Sequence, residues 1–338
     1  MTLLNVNKLN IHFKTDKSHE PIHAVRDLSF QINEGEMLGV VGESGSGKSI
    51  TNLALLGLLP DNALVKAERL AFQNKNLLSL NESEWCKTRG KEIAMIFQDP
   101  MTALNPFLSV EFQICETIIA HLGLSKKDAK DKALELLSYV GIPSPKDRLK
   151  AYPFELSGGM AQRVMIAMAI STNPKLLIAD EPTTALDVTI QKQILHLLKM
   201  LQEKNNMSII LVTHDLGVVG EFSDRLQVMY AGEVVEAGLT SKILSNPDHP
   251  YTEALLASRP GTSTNAITKR IPKTLLPSIP GIVPAFHQRP DGCQFNPRCL
   301  YKKDECEKNV IELKEIHSNQ CQIRCLYPRH SKEKESLP

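Results

Sequence analysis

Aromatic residues are scarce in this 338-residue chain, at 5% with a single tryptophan, and neither sign of charge dominates: 39 Lys and Arg against 38 Asp and Glu leave a formal net charge of +1. With no basic field, the electrostatic footprint of a nucleic-acid-binding protein is missing. No apolar run approaches the ~18 residues of a membrane span, and the start MTLLNVNKLN lacks the charged and apolar regions of a secretory signal. The expectation is a soluble chain that stays inside the cell. In that compartment seven cysteines argue against a disulfide frame and for free thiols or a metal centre. Long heptad stretches, internal repeats and a second phosphate-loop motif are also absent. The 42% of hydrophobic residues is enough for a substantial core.

Residues 42–49 read GESGSGKS. Gly42, Gly47, Lys48 and Ser49 meet the G-x-x-x-x-G-K-[ST] spacing, and the apolar run Met37 to Val41 supplies the strand expected before it. Glycines let the backbone curl until several N–H groups face one point, and the helix that follows turns its positive end to the same point. With Glu43, Ser44, Gly45 and Ser46 completing the loop, the segment is expected to cradle a polyphosphate. Lys48 would reach the outer phosphates as a compact charge, and the Ser49 hydroxyl would hold Mg²⁺. The plainer alternative is a glycine-rich turn before an ordinary helix. The strand before it and the apolar stretch Leu53 to Leu59 after it weigh against that.

From Leu3 to Val41, short apolar or alternating runs separated by polar turns predict strands. Between about Gln98 and Thr172 the pattern becomes helical, with apolar residues at helix spacing over Lys126 to Val140. Lys175 to Ala179 and Ser208 to Thr213 have the character of buried strands around a helical stretch Thr189 to Glu203, as in a parallel strand–helix–strand unit. Further on, Pro260, Pro272, Pro277, Pro280, Pro284 and Pro290 mark a linker, and five of the seven cysteines follow it within Cys293 to Cys325. The expected organisation is a main domain over 1–256 with a helical subdomain at about 99–172, a Pro-rich linker over 257–290 and a Cys-rich extension over 291–338.

LLIADEP puts Asp180 and Glu181 at the carboxyl end of a buried strand, where parallel sheets bind ligands. Asp180 is suited to hold Mg²⁺ through water, and Glu181 to orient or deprotonate an attacking water. Two acids that merely cap the next helix are the alternative. In LSGGMAQR, Ser157 can cap a helix through Met160 to Ala169, with Gly158 and Gly159 leaving N–H groups bare for an anion. One γ-phosphate cannot easily use both receptors of one chain, and a paired arrangement resolves this. A capped helix start is the alternative here too.

Together these residues resemble the ATP-binding subunits of ABC transporters over roughly Leu3 to Leu256. The resemblance implies an α/β P-loop NTPase fold, a RecA-like ABC core with an antiparallel β subdomain and an inserted helical subdomain, here carrying a small cysteine-containing extension. It also implies ATP and Mg²⁺ as ligands and ATP hydrolysis as the activity. By it, Gln98 in MIFQDP is the Q-loop glutamine that senses Mg²⁺ and the attacking water. Asp187 in ALD is the D-loop aspartate at a dimer seam, and His214 in LVTHD is the switch histidine on the γ-phosphate. Phe13 falls where the family stacks an aromatic on adenine, and Gln162 belongs to the signature with Ser157, Gly158 and Gly159. Taken alone, a Phe after a strand such as Phe13 is more often a core residue, and a His such as His214 is more often a satisfied buried histidine.

MIFQDPMTALNP (95–106), QRVMIAMAI (162–170), HPYTEALL (249–256) and GCQFNPRC (292–299) are similar to the dipeptide and oligopeptide importer ATPases, above all the dipeptide D-type subunits. Nickel importers and the putrescine or antimicrobial-peptide-resistance Sap systems share these features. The cargo therefore stays open among dipeptide, oligopeptide and nickel. The resemblance implies a peripheral subunit on the cytoplasmic face of the inner membrane. Its implied partners are a second ATPase subunit (a paralogous F-type chain), two integral membrane permeases and a separate peptide-binding protein, with no nucleic acid. Two ATP molecules would lie between the paired ATPases, each held by one phosphate loop and the other chain's LSGGM. Soluble ABC ATPases that act on nucleic acid or ribosomes form the competing class, opposed by the neutral charge and by the lack of heptads and of a second cassette. A regulator without turnover is opposed by the complete set Lys48, Ser49, Asp180, Glu181 and His214.

In the extension, Cys293, Cys299, Cys306 and Cys325 resemble an iron–sulfur site of related importers, and C-x-x-P at Cys325 to Pro328 fits the final cysteine better than Cys321 does. Such thiolates hold a [4Fe–4S] cluster or a structural zinc ion. Paired C-x-x-C spacing is absent, and free thiols or a stress-induced disulfide remain alternatives. Cys86 and Cys115 read as small apolar residues.

Overall fold

The computed structural model describes residues 1–15, 21–184, 186–258, 278–316 and 321–330. Pro260, Pro272 and Pro277 of the expected linker lie outside the described residues. The strands are β1 (Thr2–Phe13), β2 (Ile22–Asn33), β3 (Met37–Val41), β4 (Ala63–Lys66), β5 (Arg69–Phe72), β6 (Lys75–Asn76), β7 (Ile93–Ile96), β8 (Leu176–Asp180), β9 (Ser208–Thr213), β10 (Arg225–Tyr230), β11 (Glu233–Leu239), β12 (Lys314–Ile316) and β13 (Cys321–Ile323). They form two sheets, one in the order β2-β1-β5-β6 with β4 also on β1, the other β12-β13-β11-β10-β3-β9-β8-β7.

In the larger sheet β10, β3, β9, β8 and β7 run parallel. Every residue of β3, β8 and β9 is buried. A strand covered on both faces needs a continuous apolar run rather than alternation, which is the pattern these segments carry. The smaller sheet is antiparallel. Leu4, Val6, Leu9 and Ile11 of β1 and Val25, Leu28 and Ile32 of β2 share a core with Leu38 and Val40 of β3.

Between β7 and β8 the chain is helical, as expected, with helices Val110–Leu122, Lys126–Tyr139 and Gly158–Ile170. Their N-caps Ser109, Ser125 and Ser157 each accept the N–H three residues on, which satisfies one of the donors a helix start leaves bare. Ala129, Ala133 and Leu137 repeat every fourth residue along the second helix and are its buried face. These helices bury Ile114, Ile118, Leu137, Val164 and Ile166 in a core continuous with Leu177 and Leu211 of the sheet.

The cysteine-bearing tail does not form a core of its own. β13 pairs antiparallel with β11, Glu236 opposite Ile323 and Gly238 opposite Cys321, so the tail lengthens the main sheet. Phe295 packs 5.2 Å from Tyr230 and 5.3 Å from Tyr251, between ring centroids. Each such pair contributes about 0.5–1.5 kcal/mol beyond area burial.

Candidate active site

Four adjacent parallel strands end on one rim of the sheet. β3 leads directly into Gly42, β8 ends on Asp180, β9 leads into His214 and β7 ends two residues before Gln98. Crevices outside the carboxyl ends of parallel strands are where ligands bind, because strand ends and helix N-termini converge there.

The loop after β3 takes the expected shape. Gly45 and Gly47 have φ of 79° and 96°, a left-handed backbone that glycine adopts without strain. Gly47 caps helix Lys48–Leu55, and Ser46, Gly47 and Lys48 are buried while Ser44, Gly45 and Ser49 are exposed. The Lys48 ammonium folds back on its own loop, donating to Gly42 O (2.7 Å), Glu43 O (3.1 Å) and Ser46 Oγ (3.3 Å). Burial lowers its pKa, against the pull of the nearby Glu181, Asp180 and Glu43 charges. A phosphate arriving there offers this desolvated cation a partner of opposite charge.

Asp180 is 4% exposed. Burial raises its carboxyl above the usual range, opposed by the neighbouring Ser49 and Asn52 side chains and the Lys48 charge. Its Oδ1 has no hydrogen-bond partner. A buried, half-satisfied carboxylate beside the Ser49 hydroxyl is an oxygen donor set that suits Mg²⁺, a hard cation that prefers oxygen ligands.

Glu181 follows in a left-handed conformation, φ 47°, which costs a bulky residue roughly 1–3 kcal/mol and persists only where the surroundings hold it. What holds it is a hydrogen bond from its N–H to Val212 O on β9 (2.9 Å) and one from Thr184 Oγ1 to its Oε2 (2.9 Å). The same Oε2 accepts from Gln98 Nε2 (3.1 Å) and lies 3.5 Å from His214 Nδ1. The structure thus brings together Gln98, Glu181 and His214, drawn from three strand ends.

In the LSGGM segment, Ser157 caps Gly158–Ile170, and Ser157 and Gly158 are exposed. Ile190 stands 3.1 Å from where a Cβ on Gly159 would sit, so this turn packs against the start of helix Val188–Asn205. Asp187, exposed, caps that helix by accepting from Ile190 N–H (2.9 Å). Gln162 is 2% exposed, with its Nε2 among the buried atoms lacking a partner.

Residues 25–184 match the ABC transporter family model, and residues 235–306 match that of the oligopeptide/dipeptide transporter C-terminal region. The chain is 50% identical over 328 residues to the dipeptide transport ATP-binding protein DppD of Haemophilus influenzae, covering 97% of this chain and 96% of that protein. It is 48% identical to the oligopeptide transport ATP-binding protein AppD of Bacillus subtilis, covering 98% and 99%. This chain belongs to the ATP-binding subunits of ABC transporters. Among solved structures it is similar to the ATP-binding cassette MJ0796 bound to ADP and Pi, a dimeric post-hydrolysis state, with TM-score 0.62, 30% identity, and coverage of 70% of this chain and 99% of that one. As an ABC ATPase the chain binds and hydrolyses ATP.

Several contacts of this ABC ATPase site were not legible in the motifs. Thr184 bonds Glu181 and Asn52 lies beside Asp180, and the only local signal is that each is a small polar residue within three positions of a motif residue. Phe13 is half-buried and packs against the core between the sheets. In the C-terminal region Cys293, Cys299, Cys306 and Cys325 line one cavity of about 20 Å³. Cys321 instead sits buried in β13. Burial pushes the Cys293 thiol up to about 12 and Cys325 up to about 11, and the neighbouring cysteines push both in the same direction. The donor set is all thiol, which suits a soft thiolate-held centre. Among the described residues no three His, Cys, Asp or Glu side chains stand at metal-holding spacing, so the thiols would have to draw together around an ion or cluster.

Proposed function

We propose that this chain energises an ABC importer of dipeptides or oligopeptides from the cytoplasmic face of the inner membrane, as a peripheral subunit. The observation that carries the site is the meeting of Gln98, Glu181 and His214 on the rim that also bears the phosphate loop. The cargo class rests on the C-terminal match and on relatives named for dipeptide and oligopeptide transport. In cells lacking their own dipeptide importer ATPase, the chain together with its permeases should restore growth on an essential dipeptide. Growth that depends on nickel supply instead would overturn the cargo.

On this reading the residues take the following roles. Gly42 to Gly47 offer backbone N–H groups to the β- and γ-phosphates, and Lys48 swings from its carbonyls to the phosphate. Ser49, Asp180 through water and the Gln98 amide oxygen would hold Mg²⁺, which when bound would offset phosphate charge. Glu181 orients and deprotonates the attacking water, and His214 donates to the γ-phosphate. Phe13, at the end of β1, supplies an apolar surface for the adenine.

Ser157, Gly158 and Gly159 serve the nucleotide of a second ATPase subunit, a paralogous F-type chain. Ser157, Asp187 and Val188 form an exposed edge on which Val188 is 69% exposed, an apolar residue without cover. A cassette of similar fold is described as dimeric. Permeases dock at an apolar groove of about 230 Å³ between the sheet and the helical subdomain, beside Gln98 and lined by Leu58, Phe97, Leu104 and Met165. Phe107 and Phe112 stand exposed by 86% and 50% on the same helical subdomain. Phe97→Asp should reduce permease co-purification about tenfold or more while ATP affinity of the isolated chain is unchanged. Undiminished co-purification would sink the docking assignment. The substrate is delivered by a separate peptide-binding protein.

The cysteine cavity is assigned a [4Fe–4S] cluster, on its four-thiol donor set. Anaerobically purified protein should then carry iron and show a broad absorbance near ~400 nm. Zinc without iron rules the cluster out.

A further inference from the structure

Glu43 poses an electrostatic problem that the nucleotide motif does not solve by itself. It is the second residue of a loop whose task is to bind a polyanion, and its carboxylate is close enough to act on the Lys48 ammonium. A carboxylate left uncompensated there repels the phosphates. The compensating charge comes from the far end of the chain. Arg298, in the GCQFNPRC stretch, donates from Nη1 to Glu43 Oε2 (2.6 Å) and from Nη2 to Glu43 Oε1 (3.1 Å), a bidentate pair.

The guanidinium is held rigidly for this. Its side chain is 4% exposed, against 31% for Glu43. Nε donates to Pro280 O (2.8 Å), Nη2 also to Ile279 O (3.4 Å), and Nη1 also to Tyr230 OH (3.3 Å). The Glu43 backbone is gripped as well, its N–H donating to Tyr251 OH at 3.0 Å. Tyr251 packs against Tyr230, 4.7 Å between centroids. A second arginine before the cysteines, Arg289, donates to His23 O (3.0 Å). It stands 2.9 Å from where a Cβ on Gly232 would lie, and Gly232 N–H donates to Ser46 O (3.0 Å). The cysteine extension thus touches the phosphate loop directly at Glu43, while Arg289, at the end of the linker, lies beside Gly232, which in turn bonds the loop.

We infer that the C-terminal extension is a working part of the nucleotide site, with Arg298 as a positioning residue that neutralises and orients Glu43 so that the loop accepts ATP. This rests on the reading of Gly42 to Ser49 as the phosphate cradle. It gives the extension a role in nucleotide binding independent of whatever its cysteines hold.

The test is ATP titration of the full-length chain by calorimetry. Arg298→Met should weaken binding about tenfold, and adding Glu43→Gln to it should restore affinity to within about threefold of wild type, since the second change removes the charge the first left unpaired. In the assembled transporter the same loss should appear in KM for ATP, with kcat changed less than about twofold. If Arg298→Met destabilises the fold, Arg298→Lys keeps the charge and loses the fork, and it should fall between wild type and Met. A double variant that binds as weakly as Arg298→Met, or an Arg298→Met that binds like wild type, overturns the inference. Failure of the wild-type chain to bind ATP, or a Lys48→Ala variant of unchanged affinity, would instead overturn the cradle itself.

Discussion

Glu181→Gln is expected to slow ATP hydrolysis by about 10²–10⁴-fold, the range general-base catalysis contributes, with ATP affinity unchanged within about twofold. The substitution keeps the shape of the side chain and an oxygen that can accept from Thr184 and Gln98, which now both bond Glu181 Oε2. The N–H bond to Val212 O that helps hold the left-handed backbone at position 181 is left in place. On the proposed role, what is lost is the proton acceptor. Because Glu181 is not among the phosphate ligands, binding stays while turnover falls. Single-turnover hydrolysis in the assembled transporter, beside titration of the isolated chain, separates the two. Hydrolysis at the wild-type rate would end the assignment of Glu181 as the base.

Lys48→Ala acts at the opposite step. Removing the ammonium is expected to weaken ATP binding by about 10- to 100-fold, the worth of a charge-assisted hydrogen bond to phosphate in a partly desolvated site. The carbonyls of Gly42 and Glu43 lose their donor at the same time. Part of the effect therefore falls on the loop without ligand, and a thermal melt without nucleotide measures that part. Unchanged affinity for ATP would mean that the loop does not cradle the phosphates through Lys48.

Most of the architecture was legible in the sequence, for a local reason. The runs Met37 to Val41, Leu176 to Asp180 and Ser208 to Thr213 are buried on both faces, and such strands announce themselves as unbroken apolar segments. Helix Gly158–Ile170 begins where Ser157 predicts it to, because a serine that accepts from the third N–H is a short-range signal. The Lys126 to Val140 pattern gave a helix one residue shorter, ending at Tyr139 ahead of Gly141 at φ 76°. The tail was harder to read. Its prolines and cysteines suggested a separate appendage, whereas β13 adds to the edge of the main sheet.

By itself the sequence determined the phosphate loop, its strand and helix, the acid pair after β8 and the capped glycines of the signature. Each is a pattern within about ten residues, where periodicity, capping and glycine freedom act. Tertiary structure alone decided which distant groups meet: Gln98 with Glu181 across 83 positions, and Arg298 with Glu43 across 255. It also separated Cys321, paired in the sheet, from the four cysteines that share a cavity. The physical reason is common to all three. An ion pair, an edge-strand pairing or a shared cavity depends on where the chain returns in space, and neither the period nor the composition of a segment encodes that return.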